Sequence, residues 1–512
     1  MNGVGRVTLA SLLRIVNKVG GVMGLTNDSS TPPDSEVSKY LPVPNPGECF
    51  WQRDLHELHE HRSTESLPEH SDILIIGAGH TGISTAYHLV KDPRNANKTI
   101  TILEARAACS GATGRNGGHL RPDLYGHIPT YIDRAGVEAA AEIAEFEIEN
   151  LREVKKVIEE ENIDCDFALH RTIDVWCNAE AAKKAKAVYD QMVAHKLEYM
   201  NDVVFYTEKD AEGVSAADRI EKTMLNSRQI SGVKGAKACT SYTAGSVWPY
   251  KLFLHLVQLI LKTGQTNFQT YTPVTSIIQD PNGGFVVETP RGKTHASKIV
   301  HATNGYVGGL LPEYKKNIIP SKGICCRIAV PEGTPAPLLN NSYINRTEDN
   351  TLSYLIARAD GSIVVGGAAA KFRQFRDQWY NNVDDSVLID AAKDYYDDYM
   401  QRTYRGWEKT GAKVDKIWTG VMGYSYDSHP HIGAIPKKPN QYIAAGFNGH
   451  GMPVIWLGAK GLARMVTEDS PYEKSGLPRL FQTTQARIDV ALNGREEDGD
   501  IVGTGSFPVT KQ

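Results

Sequence analysis

The β-branched apolar run Ile73-Leu74-Ile75-Ile76 follows Asp72 and ends at Gly77, as a strand buried on both faces does when it opens into a turn. From Gly82 to Val90 small and apolar residues recur at helical spacing, and Thr99 to Leu103 repeats the strand pattern. Together these segments predict a βαβ unit with parallel strands. Glu138 to Glu161, rich in Ala, Glu, Ile and Val at helical spacing, predicts one long amphipathic helix. Much later, Ser297 to Ala302, Ser362 to Val365 and Gln441 to Ala445 are short strand-like runs ending at or near glycine. Strands spread this widely imply a sheet assembled from distant segments. Thr26 to Glu69 lacks periodicity and is rich in Pro, Ser, His and acidic residues, so it reads as a linker that wraps the surface. Its His56, His59 and His61 lack a fourth ligand, and no metal site is expected there.

Length and composition narrow the class. With 512 residues, 41% of them apolar, the chain has room for two domains with a substantial core. A net charge of -4 offers no electrostatic footprint for nucleic acid or an anionic membrane, so the expected partner is a small molecule. Seven scattered cysteines without a CxxC pair suggest neither a disulfide scaffold nor zinc, and they fit a reducing, cytoplasmic compartment. No run approaches the roughly 20 apolar residues of a spanning helix. Met1 to Leu25 carries Arg6, Arg14 and Lys18 without an acid and resembles a mitochondrial presequence, which keeps a mitochondrial location as the alternative.

Candidate chemistry begins where the first strand ends. Gly77-Ala78-Gly79-His80-Thr81-Gly82 is a GxGxxG pattern between a predicted strand and a predicted helix. Gly77 makes the tight turn, Gly79 lets the backbone approach a pyrophosphate, and Gly82 lets helix and strand pack closely. The helix N-terminus presents free N–H groups and partial positive charge to the phosphates. Glu104, about 20 residues on at the end of the second strand, suits the ribose hydroxyls and disfavours a 2′-phosphate, which points to FAD or NAD rather than NADP. The glycine-rich stretch from Cys109 to His119 follows, in which Ser110, Thr113 and Arg115 can satisfy phosphate oxygens.

The combination of Ile76 to Gly82, Leu103-Glu104-Ala105-Arg106 and Ser110-Gly111-Ala112-Thr113-Gly114-Arg115-Asn116-Gly117-Gly118 resembles the D-amino-acid oxidase superfamily. Within it the chain is most similar to the glycine oxidase, sarcosine oxidase and gamma-glutamylputrescine oxidase branch. The likeness returns in Asp427-Ser428-His429-Pro430-His431-Ile432-Gly433 and in Ala445 to Met452. It implies an α/β, Rossmann-like FAD-binding domain, built discontinuously from residues 71–135, 235–312 and 413–470. An inserted α+β substrate domain with a mixed sheet would take residues 136–234 and 313–412, with 1–70 as extension and linker and 471–512 as tail.

By the same resemblance, FAD would be held by Gly77, Ala78, Gly79, His80, Thr81, Gly82, Glu104, Ala105, Arg106, Ser110, Thr113, Arg115, Asn116, Gly117 and Gly118. Val274 and Ala302 would join at the adenosine, and Gly446, Asn448, Gly449, His450, Gly451 and Met452 at the flavin ring. Relatives that bind flavin covalently use a cysteine or histidine at places here occupied by Gly420 to Tyr424 and by Arg115, so dissociable FAD is expected. Cys325 and Cys326 lie in an apparent strand and read as core residues. The lysine with which sarcosine-oxidising relatives hold a carboxylate is replaced by Pro453, leaving Arg121 or Arg327 to supply the cation. His119, His450 and Lys371 are the candidate catalytic residues, and Trp418, Tyr424 and Tyr426 candidate walls of a substrate pocket.

The expected activity is oxidation of a C–N bond in a small amine or amino acid, with hydride transfer to flavin and oxygen as acceptor. A dehydrogenase passing electrons to a quinone or carrier protein is the first alternative. A non-catalytic FAD-binding assembly protein is the second.

Overall fold

The computed structural model describes residues 37–207 and 231–500. The basic segment Met1 to Leu25 lies outside the described residues. The predicted βαβ unit forms as β1 (His70–Ile76), α1 (His80–Lys91) and β2 (Ile100–Leu103), with Ile73 paired in parallel to Ile100. The helix starts two residues before the glycine at which its apolar pattern begins, because Gly79 caps it in extended conformation. On the other side β1 pairs in parallel with β10 (Gly292–His301), and β10 with β17 (Gln441–Ala445). With β7 (Thr266–Gln269) and β16 (His431–Ala434) at the edges the order is β16-β17-β10-β1-β2-β7, and the hairpin of β8 (Ser276–Gln279) and β9 (Phe285–Thr289) branches from β10.

The unbroken apolar run of β1 has a packing reason. Ile73 and Ile75 pack with Ala86 and Leu89 of α1 and with α5 (Pro249–Lys262), whereas Leu74 and Ile76 pack with Val274, Phe285 and Ile299. Both faces are covered, so no polar alternation survives. A further helix, α6 (Ile455–Glu468), lies against α1 on the first of these faces. Among the described residues no helix is long and apolar enough to cross a membrane.

The second sheet is mixed. Its order is β15 (Lys413–Ser425), β11 (Ile318–Ala329), β14 (Ile363–Gly367), β13 (Leu352–Ala357), β12 (Ser342–Arg346), β4 (Ala168–Trp176), β6 (Ala238–Ser246) and β3 (His119–Leu120), with β5 (Val204–Tyr206) also on β6. Only β12 and β4 pair in parallel. Ile173, Val175, Leu355 and Val365 form an outer cluster with Tyr396 and Tyr399. On the opposite face Cys325, Ile356 and Val364 join Trp51, Leu120 and Trp418. The helices α2 (Ile128–Ala135), α3 (Val137–Glu160) and α4 (Ala179–Ala194) follow this sheet's first strands in sequence, and α3 realises the long amphipathic segment nearly as read.

Three readings of the sequence change. Strands β6 and β15 pair within the second sheet, not with the first domain to which their positions had suggested they belong. The stretch before β1 does not merely wrap the surface. Trp51 is fully buried, donates its indole N–H to the Asn116 carbonyl at 2.6 Å, accepts from the Trp248 indole at 2.8 Å through its own carbonyl, and stands edge-on to that ring. Nearby, His59 bonds to Tyr250 and His61 to Ser63, so the histidines of this stretch serve separate contacts. The C-terminal residues also fold back: Phe481 and Ile488 are buried, and Arg487 of α7 (Gln485–Asn493) pairs with Asp427 at 2.6 Å.

Replacing Trp51 by alanine removes a buried indole and its hydrogen bond to the Asn116 carbonyl. A loss of about 3–5 kcal/mol is expected, read as an earlier midpoint in denaturant unfolding.

Candidate active site

The glycines of the first loop are fixed by contact. A Cβ on Gly77, whose φ is 105°, would lie 2.8 Å from the Ala302 carbonyl oxygen, and one on Gly82 only 1.9 Å from that of Gly77. The N–H of His80 donates to the Thr113 hydroxyl at 2.8 Å, so the second glycine-rich stretch sits directly over the start of α1. Glu104 accepts the N–H groups of Ala78 at 2.7 Å and Arg106 at 2.9 Å, and its own carbonyl accepts from Thr272 at 2.7 Å. Val274, two residues beyond Thr272, is buried with Leu74, Ile76 and Leu103. The hydroxyls of Ser110, Thr303 and Tyr306 are buried there without partners. Glycines that admit no side chain, a helix that starts at the end of the loop, an acid at the strand end and orphaned hydroxyls fit a dinucleotide.

Three residues assigned to this region by pattern have other partners. The ring of His80 turns away against Phe253, 4.2 Å between centroids, and burial pushes its pKa down to about 3. Arg106 grips Asp385 with both terminal nitrogens, at 2.9 and 3.0 Å. Arg115 lies 3.7 Å from the same carboxylate and donates to the carbonyls of Thr419 at 2.6 Å and Gly47 at 2.7 Å. Both guanidinium groups are buried, so they hold the loop instead of reaching a phosphate. Asp385 lies in a stretch without periodicity, and its only sequence signal is a pair of arginines that need a counter-charge once buried.

At the other end of the first sheet, Gly446, Asn448 and Gly449 all adopt positive φ. Asn304 Oδ1 accepts the Gly446 N–H at 2.9 Å, and Asn448 Oδ1 accepts that of Ser425 at 2.7 Å, which ties this loop to β15. The loop runs through His450, Gly451 and Met452 into α6. Beside it opens a small cleft, lined by Asp123, Tyr131, Glu147, Tyr424, Phe447 and His450 among others. His450 Nε2 is 2.8 Å from Glu147 Oε2, and Asp123 bonds to His127.

The second sheet supplies a buried polar floor near Asp123. Arg121 bonds to the Tyr242 hydroxyl and lies 3.5 Å from Asp174, and Arg346 approaches that same carboxylate at 3.8 Å. Two cations thus share one anion. His119 stands perpendicular to Tyr354 at 5.5 Å, with its pKa lowered to about 3 by burial, and its Nε2 has no partner.

The remaining candidates are not brought here. Lys371 is partly exposed and pairs with Asp349 at 2.7 Å. Arg327 is taken by Asp360 and Asp415. Tyr426 bonds to the Arg495 carbonyl, and Trp418 donates to that of Arg115 at 2.8 Å, so of the three aromatics only Tyr424 lines the cleft. Sequence reasoning missed Glu147, Asp123 and Asp174.

A parallel dinucleotide-binding sheet facing a mixed sheet across a polar cleft defines a two-domain, nucleotide-cofactor oxidoreductase architecture. Residues 72–465 match the DAO family, described as FAD dependent oxidoreductase, and the chain belongs to that family. It is 23% identical over 401 residues to the gamma-glutamylputrescine oxidoreductase of Escherichia coli, covering 78% of this chain and 84% of that protein. To the glycine oxidase of Bacillus licheniformis it is 24% identical over 404 residues, covering 77% and 92%. Among solved structures, glycine oxidase from Geobacillus kaustophilus shares the fold with a TM-score of 0.62 at 17% identity, covering 82% of this chain and 99% of that one. L-proline dehydrogenase from P. horikoshii follows at 0.59 and 21%, covering 81% and 97%.

Removing the shared anion tests the role of the buried arginines. Asp385→Ala leaves two buried cations without a counter-charge and is expected to lower stability by about 3–5 kcal/mol, measured by thermal or denaturant unfolding of the holoprotein.

Proposed function

We propose that the protein oxidises the C–N bond of a small amine or amino acid, with dissociable FAD as cofactor and oxygen as electron acceptor, in the cytoplasm. The observation that carries this reading is the cleft beside the Gly446 to Met452 loop, which combines aromatic walls with paired carboxylates and histidines. The names of the relatives, gamma-glutamylputrescine oxidoreductase and glycine oxidase, point to the same substrate class.

In this reading the backbone from Gly77 to Gly82, Glu104, Ser110, Thr113, Asn116 to Gly118, Val274 and Ala302 hold the nucleotide part, and Gly446, Asn448, Gly449, Gly451 and Met452 border the ring. When bound, FAD would supply the two-electron acceptor for a hydride from the carbon bonded to nitrogen, with oxygen as the final acceptor. The chain itself positions the substrate and excludes water. Arg121 and Arg346, which meet at Asp174, are the cations of this floor and are assigned to a substrate carboxylate. Tyr131, Tyr424 and Phe447 flank the place of the amine. His119 packs against Tyr354 as a neutral ring.

The state of the thiols supports dissociable FAD. Cys325 is buried, 3.1 Å from the Tyr354 hydroxyl, and burial pushes its pKa up to about 11, so it is a poor nucleophile; Cys326 faces the outer cluster. Acid precipitation should therefore leave intact FAD in the supernatant and a pellet without flavin fluorescence. A fluorescent pellet refutes dissociable binding.

The activity is tested by anaerobic titration of the holoprotein with amines, N-methyl amino acids, D-amino acids and polyamine derivatives. One class should bleach the flavin absorbance, and readmitted air should restore it with release of peroxide. Bleaching without reoxidation by air would assign a dehydrogenase; no bleaching by any of these compounds would overturn the amine reading.

A further inference from the structure

The histidine of the Gly449-His450-Gly451 loop is held by a residue from the other side of the cleft. Glu147 sits midway along α3, is only 3% exposed, and bonds through Oε2 to His450 Nε2 at 2.8 Å. The same oxygen accepts the Asp123 backbone N–H at 2.7 Å. A carboxylate can only accept here, so the ring proton resides on Nε2 and the Nδ1 lone pair is left open. Among the described residues Nδ1 has no partner, and the imidazole is 28% exposed where it lines the cleft.

The other ionisable groups around the cleft are differently engaged. Asp123 bonds to His127 and also accepts the N–H groups of Gly126 and His127, which fixes it in the turn that precedes α2. Arg121 is bound to Tyr242 and Asp174. Burial, chiefly, raises the Tyr131 hydroxyl well above its ordinary range, so it does not act as a base. Tyr424 lines the opposite wall, where its hydroxyl abuts Gly449, and Asp427 is neutralised by Arg487.

We propose that His450 Nδ1 takes a proton from the substrate ammonium as it enters the cleft, and that Glu147 is the positioning residue that sets the tautomer and counters the resulting imidazolium. This rests on the amine-oxidising reading above. Most alkylamines are ammonium ions at neutral pH, as the lysine value of about 10.4 illustrates, and an ammonium nitrogen has no lone pair to support loss of hydride from the adjacent carbon. In the step, one ammonium N–H bond breaks, its electron pair stays on nitrogen, and an Nδ1–H bond forms. No electron changes hands. The amine becomes neutral, and the positive charge moves to the imidazole beside the Glu147 carboxylate.

The test is the rate of anaerobic flavin reduction in holoprotein carrying Glu147→Gln, from neutral pH to above the pKa of the best amine. At neutral pH the variant is expected to be slower by on the order of 10- to 100-fold with an unchanged flavin spectrum, and to converge on the wild-type rate once the amine is neutral in bulk water. A loss of equal size at every pH, or no loss at neutral pH, overturns the proposal. Should Glu147→Gln fail to retain FAD, His450→Ala serves instead: restoration of its neutral-pH rate by added imidazole supports the proposal and failure to restore overturns it. A wild-type protein that no amine reduces would refute the amine reading itself, a separate outcome.

Discussion

The geometry of the site hangs on one buried carboxylate. Asp385 neutralises Arg106 and Arg115, which leave the chain on either side of Ser110, and so it sets the path of the glycine-rich loop over α1. Its backbone joins in, because the carbonyl accepts from Gly47 at 3.1 Å and from the Thr419 hydroxyl at 3.2 Å. The N-terminal stretch, the glycine-rich loop and β15 thereby meet at one residue. The surplus positive charge is spread over the carbonyls of Val43, Gly47, Ser110 and Thr419, each accepting a guanidinium N–H. Such a cluster contributes little net stability over an apolar replacement, but it specifies one arrangement of the loop, since any other leaves a desolvated charge unpaired.

The second constraint is division of labour between the faces of the mixed sheet. The outer face is apolar and packs on tyrosines, whereas the inner face places Asp174, Thr240 and Tyr242 in one polar layer, with the Tyr125 hydroxyl donating to Asp174 at 2.7 Å. The arginines at the rim of that layer and the His450–Glu147 pair are separate devices. The arginines face Asp174, whereas His450 and Glu147 meet across the cleft.

How far these features could be read beforehand depended on whether burial left a mark in the pattern. β1, α1 and β2 were legible because a sheet covered on both faces demands an unbroken apolar run and the glycines are locked by backbone contact. β6 was not, since Ala238 to Ser246 is small and polar where it faces Asp174, and nothing in it announces a strand. Phe50-Trp51 showed its only sign as adjacent aromatics in an otherwise charged stretch. Arg106 and Arg115 gave no sign of Asp385, because a guanidinium beside a glycine-rich stretch suits a phosphate as well as a distant carboxylate. Glu147 and Asn150 stand three apart on the buried stripe of α3, and polar residues on an apolar stripe were the overlooked signal.

The order of strands also bears on how the protein is made. β1 emerges early from the ribosome, yet β10 and β17, which complete its side of the sheet, follow more than 200 and 350 residues later. At about 5–20 residues per second, the apolar edge of β1 waits many seconds for its partners. Loop closure of that span is slow and cannot be hastened by local propensity. The first half thus presents an unpaired apolar strand edge until β10 arrives, and the parallel sheet around β1 is not complete until β17 has been synthesised.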